Sequence, residues 1–105
     1  MLRELQQESD KWRLKNFGKT SPTEMLLGIS EELGELAHAQ LKEIQNIRLN
    51  EDHLNDAKDA VGDIVIFLCG YCSSRNWSIE EVTKESWKRV SKRDWIKFPI
   101  NGRDE

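Results

Sequence analysis

Two helix-start signals constrain the fold of this chain more than any other feature of its sequence. The segment S-P-T-E at residues 21–24 is a capping box with proline in the first helical position, and S-I-E-E at residues 78–81 is a second capping box. Asn50 or Asp52 can cap a further helix between them. Because apolar residues at helical spacing follow these signals, the sequence predicts consecutive helices and no strand hairpin.

The spacing of apolar residues predicts four helices separated by short loops. They cover about residues 2–16, 22–45, 51–72 and 79–91. Short loops favour antiparallel neighbours, so we expect an all-α, antiparallel four-helix bundle-like fold. A single domain would span residues 1–105, with a C-terminal tail from about residue 92, and Trp12 and Trp87 would lie in its core.

The composition limits the classes of partner. A third of the residues are charged and only 37% are hydrophobic, which is a thin apolar supply for a small domain, so we expect a homodimer or homotetramer. The net charge of −3 gives no reason to expect binding to a nucleic acid polymer. The N-terminus lacks the apolar core of a signal peptide and no apolar run has the length of a membrane span, so we expect a cytoplasmic protein without a membrane partner.

The second predicted helix carries two carboxylates at the border of its apolar face. On a helical wheel Glu32 lies at the edge of the apolar arc, and Glu35 lies about 60° further round. Gly28 and Ala39 are the small residues near them, a layout typical of a concave site. Glu31 is about 100° from Glu32 and points to one side. Acidic runs are also common on solvated helix faces, so this pattern alone does not establish a site.

The third predicted helix carries a matching stripe of acids. Its members are Asp52, Asp56, Asp59 and Asp63. The first two favour the helix dipole, whereas Asp63 is followed by the apolar run I-V-I-F-L and is expected to be surrounded by apolar residues. A buried carboxylate needs a proton, a cationic partner or a metal. A pairing of Asp63 with Arg89 or Lys92 is therefore an alternative to a ligand role.

Antiparallel packing of the second and third helices would bring the two acidic sets together. Glu32 and Glu35 would then face Asp59 and Asp63. Four converging carboxylates repel one another unless a cation lies among them, and oxygen-only ligands suit Mg²⁺ or Mn²⁺. The sequence therefore predicts a metal site between these helices.

Two other patterns are incomplete. Cys69 and Cys72 form C-G-Y-C near the end of an apolar helical run rather than at a strand-to-helix junction, which favours buried free thiols over a redox pair. An E-x-x-H unit ends at His38, but a di-iron bundle needs two such units, and Asn50 stands three residues before His53. We therefore expect His38 to be exposed or to cap a helix.

With both acidic clusters in view, the chain resembles the MazG-like, all-α nucleoside triphosphate pyrophosphohydrolases. The signature of that family is E-E-x-x-E on one helix and E-x-x-D on the next. The first half matches E-E-L-G-E at residues 31–35, and the second half falls on D-A-V-G-D at residues 59–63. The resemblance covers about residues 17–71 and extends more loosely to Pro99.

The resemblance implies a role for each acid. The implied metal ligands are Glu32, Glu35, Asp59 and Asp63. Asp59 is the substitute ligand, because Ala60 stands where the family has its second-helix glutamate, and positions i and i+4 are as close on a helix as i and i+3. Glu31 would orient or deprotonate the attacking water.

The resemblance implies a Mg²⁺-dependent enzyme, with Mn²⁺ as the other candidate ion. It would cleave a nucleoside or deoxynucleoside triphosphate to the monophosphate and pyrophosphate. In the C-terminal segment, Lys92 is the candidate for phosphate binding and Trp95 for stacking on the base. The alternatives are that positive charge stabilises the last helix end and Trp95 packs within the tail, and that the whole chain is a non-catalytic helical module that binds nucleotides or proteins.

Overall fold

The computed structural model describes residues 1–103, and over these residues the protein has four α-helices and no strand. The helices are α1 (Leu2–Phe17), α2 (Pro22–Gln45), α3 (His53–Ser74) and α4 (Ile79–Val90). The prediction of an all-α fold is confirmed. The bounds of α2 are those predicted, and the ends of the others differ by two residues at most. None of the described helices is both long enough and apolar enough to cross a membrane.

The predicted cap residues fix the starts of three helices. The Oγ of Ser21 accepts a hydrogen bond from the backbone N–H of Glu24 (3.1 Å), and the Glu24 carboxylate accepts one from the N–H of Ser21 (3.2 Å). Asp52 and Ser78 cap α3 and α4, each accepting a hydrogen bond from the N–H three residues on (3.2 and 3.3 Å). Of the two candidates for α3, Asp52 is therefore the cap.

The arrangement of the helices is more open than the expected four-helix bundle. Helix α3 is central and contacts the other three, and α1 also contacts α4, but α2 packs against no helix except α3 among the described residues. The radius of gyration is 17.4 Å, against about 13 Å for a compact domain of this length. One side of the α2–α3 pair is consequently left without a covering helix.

Both tryptophans assigned to the core lie on the surface instead. Trp12 is 55% exposed and Trp87 is 68% exposed. The continuous core is small, formed by Cys69, Cys72 and Ile79 with two partly buried leucines of α1. The expectation for the tryptophans was wrong because no second layer of helices covers the outer faces of α1 and α4.

A buried glutamine joins α1 to the loop between α3 and α4. The Gln6 amide donates hydrogen bonds to the Oγ of Ser73 and to the carbonyl of Trp77, both at 2.9 Å. Its carbonyl oxygen accepts a hydrogen bond from the N–H of Ile79 at 3.0 Å. A single side chain thus holds the end of α3 and the start of α4 against α1.

Two turns further along α1, a buried arginine extends this junction. Arg13 is 7% exposed. Its guanidinium pairs with Asp10 (2.9 Å) and donates a hydrogen bond to the carbonyl of Ile66 (3.2 Å). Asp10 also accepts a hydrogen bond from the hydroxyl of Ser73 at 2.6 Å. We call this set of residues, together with Gln6, the polar junction.

Candidate metal centre

Three glutamates of α2 form the densest group of acidic ligands among the described residues. Glu31, Glu32 and Glu35 each offer a carboxylate oxygen, and these oxygens lie within 4.8 Å of one another. Glu31 and Glu35 are exposed, whereas Glu32 is half-buried. The helical spacing of E-E-x-x-E places the three side chains on adjoining parts of one helix surface.

Close contacts define the register between α2 and α3. Gly28 lies against the ring of Phe67, and a Cβ added at Gly70 would lie 2.5 Å from the Sδ of Met25. In each pair the two residue numbers add up to the same value, as an antiparallel pair of helices requires. By the same register, position 32 lies opposite position 63 and position 35 lies opposite position 60. The small residue at position 28 therefore admits the Phe67 ring rather than forming a hollow, which corrects the expectation of a concave site there.

Glu32 is the electrostatically strained member of the cluster. Its pKa is raised above the usual value, first by desolvation, then by a hydrogen bond and charge interaction with Glu35, and then by the charges of Asp63 and Glu31. Its Oε2 atom is buried and has no hydrogen-bond partner among the described residues. A buried acceptor without a donor is costly, so this oxygen is suited to a proton or a cation.

Asp63 lies beside the cluster but is not buried. It is near enough for its charge to act on Glu32, yet its side chain is exposed, and it is not among the three residues whose ligand oxygens converge. The expectation of apolar surroundings was wrong because Ile66 and Leu68 of the apolar run are themselves exposed, so the described residues form no apolar layer around position 63. Among the described residues Asp63 forms no ion pair, so the alternative partners Arg89 and Lys92 do not neutralise it.

The structure does not bring Asp59 to the cluster. It is exposed on α3, and it is not among the described residues whose ligand oxygens converge with those of Glu32. The neighbouring Ala60 is only 1% exposed, and by the register it lies opposite Glu35. The position where the family pattern has glutamate is thus packed into the helix interface, and the substitute residue lies further round α3.

The side of the α2–α3 pair away from Glu31 is apolar. The exposed side chains on it are Leu26 and Leu33 of α2 and Leu54, Val61 and Leu68 of α3. On each helix they lie roughly 120–160° round from the line of contact in the same rotational sense, which in an antiparallel pair places them toward one side. Glu31, Glu35 and Asp63 lie in the opposite sense. The acids therefore lie on one side of the pair, together with exposed Leu27 and Ile66, and the other side carries exposed apolar side chains.

The two histidines take part in loop contacts rather than in the glutamate cluster. Exposed His38 lies 3.2 Å from a carboxylate oxygen of Glu51, and this hydrogen bond lowers the pKa of Glu51. His53 contacts the carbonyl of Ile47 at 3.0 Å. The expectation that His38 is exposed is confirmed. The two cysteines are free and buried, as predicted, and burial raises the pKa of both thiols.

The two residues assigned to substrate, Lys92 and Trp95, lie beyond the end of α4. Helix α4 does not contact α2 among the described residues, so one chain does not bring these side chains to the glutamates. Trp95 is half exposed and lies 5.9 Å from the guanidinium of Arg93. This contact fits the alternative in which Trp95 packs within the tail.

The polar junction was not predicted from the sequence. A signal was nevertheless present, since Gln6, Asp10 and Arg13 follow helical spacing and therefore share one face of α1. Polar residues at that spacing also describe a solvated face. Only the partners on α3 and α4, more than 50 residues away, distinguish the two cases.

Comparisons with known proteins yield no relative for this chain. No family model, no curated protein and no solved structure matches it.

Proposed function

We propose that this protein is a metal-dependent nucleoside triphosphate pyrophosphohydrolase of the MazG-like type. The observation that carries the proposal is the half-buried Glu32, whose Oε2 has no hydrogen-bond donor among residues 1–103 while three other carboxylates act on its charge. Repulsion between carboxylates and a buried acceptor without a donor both destabilise the folded state. A divalent cation bound there would relieve both the repulsion and the missing contact.

The donor set fits a hard divalent ion, Mg²⁺ or Mn²⁺. Glu32 and Glu35 would hold it from α2, and Asp63 would approach from the opposing helix. The ion would neutralise a triphosphate and lower the pKa of a bound water. Exposed Glu31 lies on the outer side of the cluster, where it can accept a proton from that water. Asp59 stays a candidate fourth ligand that needs a rotation of its side chain toward Asp63.

A second copy of the chain is part of this proposal. The apolar side of the α2–α3 pair would be covered in a homodimer or homotetramer, which accounts for the large radius of gyration. In the part of the chain that the structure describes, α4 and α2 do not contact each other, so Lys92 and Trp95 would contribute to substrate binding from such a second copy. Sedimentation velocity measures the oligomeric state directly. A cytoplasmic location stays a prediction.

One observation favours a non-catalytic alternative. Ala60 fills the helix interface at the position where the family pattern has glutamate, and Asp59 is not in the described group whose ligand oxygens converge. A scaffold that lost one ligand could bind nucleotides or proteins without hydrolysing anything.

Turnover distinguishes the two functions. The purified chain is incubated with a panel of nucleoside and deoxynucleoside triphosphates and Mg²⁺ or Mn²⁺, and pyrophosphate and monophosphate are measured. We expect release of both, and a loss of about 100-fold or more in Glu32→Gln and Asp63→Asn. Glu43→Gln, at an exposed glutamate further along α2, is the matched control. Absence of turnover on every nucleotide with either ion would favour the non-catalytic module.

The role of Asp59 needs its own comparison. We expect Asp59→Ala to raise the Mg²⁺ concentration needed for half-maximal activity more than Asp56→Ala does. Both side chains are exposed on the same helix, so equal effects would remove Asp59 from the set of ligands.

A further inference from the structure

A basic pocket lies at the C-terminal end of α4, remote from the glutamate cluster. It has a volume of about 360 Å³. Its lining consists of five cationic side chains and one carboxylate: Lys88, Arg89, Lys92, Arg93, Arg103 and Glu85. Because the chain as a whole carries a net charge of −3, this concentration of positive charge is local.

The pocket is built by two separate parts of the chain. One wall is a face of α4 and the turn after it, since Glu85, Lys88, Arg89 and Lys92 follow helical spacing. The other is the tail, which folds back so that the N–H of Asp94 donates to the carbonyl of Gly102 and the N–H of Gly102 donates to the carbonyl of Phe98, both at 2.8 Å. This closure brings Arg103 back beside α4.

Glycine is required where the tail closes. Gly102 has a φ of 72°, and a Cβ there would lie 2.9 Å from the Cβ of Arg93 and 3.0 Å from the ring of Trp95. A side chain at this position would be strained and would collide with the pocket wall. The tail is therefore packed tightly against α4 rather than only following it.

The cations of the pocket have no acidic partners among the described residues. Lys88, Arg89, Lys92, Arg93 and Arg103 form no ion pair there, and the buried Nε of Arg93 has no hydrogen-bond acceptor. At the other end of α4, by contrast, Lys84 lies 3.7 Å from Glu80. The helix dipole favours cations in the last turn of α4, but it does not explain why the tail adds Arg103 to them.

We propose that this pocket binds a small phosphate anion of the pyrophosphate or tripolyphosphate class. Clustered arginine and lysine side chains match phosphate oxygens in charge and in hydrogen-bond geometry. A cavity of about 360 Å³ is at the small end of ligand pockets. A nucleic acid polymer would instead need an extended basic surface, which the acidic α2–α3 pair does not continue. The pocket shares Lys92 with the substrate-binding role proposed above, but binding of the anion does not rest on the proposed hydrolase activity.

The test is binding of pyrophosphate by isothermal titration calorimetry in EDTA, so that no metal can bridge the anion to the glutamates. The double variant Arg89→Gln/Lys92→Gln removes two exposed cations of the pocket. We expect it to weaken binding at least about tenfold, with an unchanged circular dichroism spectrum. Arg93 is left in place because its side chain is partly buried against Trp95.

Two matched variants locate the site. Lys58→Gln removes an exposed lysine of α3, and Glu32→Gln alters the glutamate cluster; neither should change the affinity for pyrophosphate. The proposal would be overturned by no binding to the unmodified chain, by equal affinity of the double variant, or by stronger loss in Glu32→Gln. Displacement of pyrophosphate by a single-stranded oligonucleotide at lower phosphate concentration would also overturn it, in favour of a nucleic acid surface.

Discussion

The polar junction and the glutamate cluster both place carboxylates between helices, but only the junction provides them with partners. Asp10 receives the guanidinium of Arg13 and the hydroxyl of Ser73. Glu32 has only other carboxylates around it, with a hydrogen bond to one of them, Glu35, and its Oε2 is buried without a donor among the described residues. Charges that serve folding are satisfied within the chain, so the unsatisfied cluster is the one that calls for a ligand.

The largest stability effect should come from the junction. In Arg13→Met the apolar stem is retained, but Asp10 and the carbonyl of Ile66 lose their cationic partner. Removing the arginine leaves the charge of Asp10 without its partner, which destabilises the folded state. Because the Asp10 carboxylate is partly exposed to water, this loss of stability is smaller than for a fully buried pair. We expect the free energy of unfolding in urea to fall by roughly 2–3 kcal/mol. Lys15→Met, at an exposed lysine of α1, should change it by less than about 0.5 kcal/mol, and a similar change for both would mean that the junction does not stabilise the fold.

Substitution of two glycines in α2 should give the next largest change in stability, and it tests the packing between α2 and α3 beside the glutamate cluster. A methyl group at Gly28 would collide with the ring of Phe67, whereas nothing lies within 4 Å of one at Gly34. Gly28→Ala should therefore destabilise the protein by about 1–3 kcal/mol through overpacking. Gly34→Ala should stabilise it by about 0.5–1 kcal/mol through helix propensity. If the register between α2 and α3 is correct, the midpoint of thermal unfolding should fall in Gly28→Ala and rise in Gly34→Ala. An equal rise in both variants would contradict the register.

The sequence was sufficient for the features that are local along the chain. Caps such as Ser21 and Asp52, and apolar spacing, predict the helices because both act within one or two turns. The E-E-x-x-E spacing likewise predicts that Glu32 and Glu35 lie together. Features that depend on which helix faces which were not accessible. Whether Asp63 is buried depends on how far the other helices cover α3, and a wheel of one helix does not contain that information.

The partners of charged residues are also not visible from the sequence of one helix. In the sequence Arg13 is an ordinary polar residue, and only the structure shows its hydrogen bond to the carbonyl of Ile66 and the contact of Ser73 with its partner Asp10. In the same way, the sequence of Trp12 is compatible with a core position, and only the structure shows that one side of it is uncovered. A polar residue at helical spacing is compatible with solvent or with a buried partner. Only tertiary contacts between residues distant in sequence decide between them.

The smallest change in the free energy of unfolding should come from Glu32→Gln in the glutamate cluster. Arg13→Met in the polar junction should destabilise the protein, whereas Glu32→Gln should not. Without metal, folding raises the pKa of Glu32, so the folded state holds the proton more tightly than the unfolded state. The stability of the metal-free protein should then fall as pH rises through the elevated pKa of this group. Glu32→Gln carries no titrating group at this position, and we expect its free energy of unfolding in EDTA to equal or exceed that of the unmodified chain near neutral pH.

Urea unfolding in EDTA from about pH 4 to about pH 7 compares the two proteins directly. The unmodified chain should lose stability relative to Glu32→Gln as pH rises, and added Mg²⁺ should stabilise the unmodified chain more than the variant. A Glu32→Gln protein that is less stable throughout would mean that Glu32 is satisfied within the fold, as Asp10 is. The contrast between the two regions would then disappear, and with it the argument that the cluster exists to bind an ion.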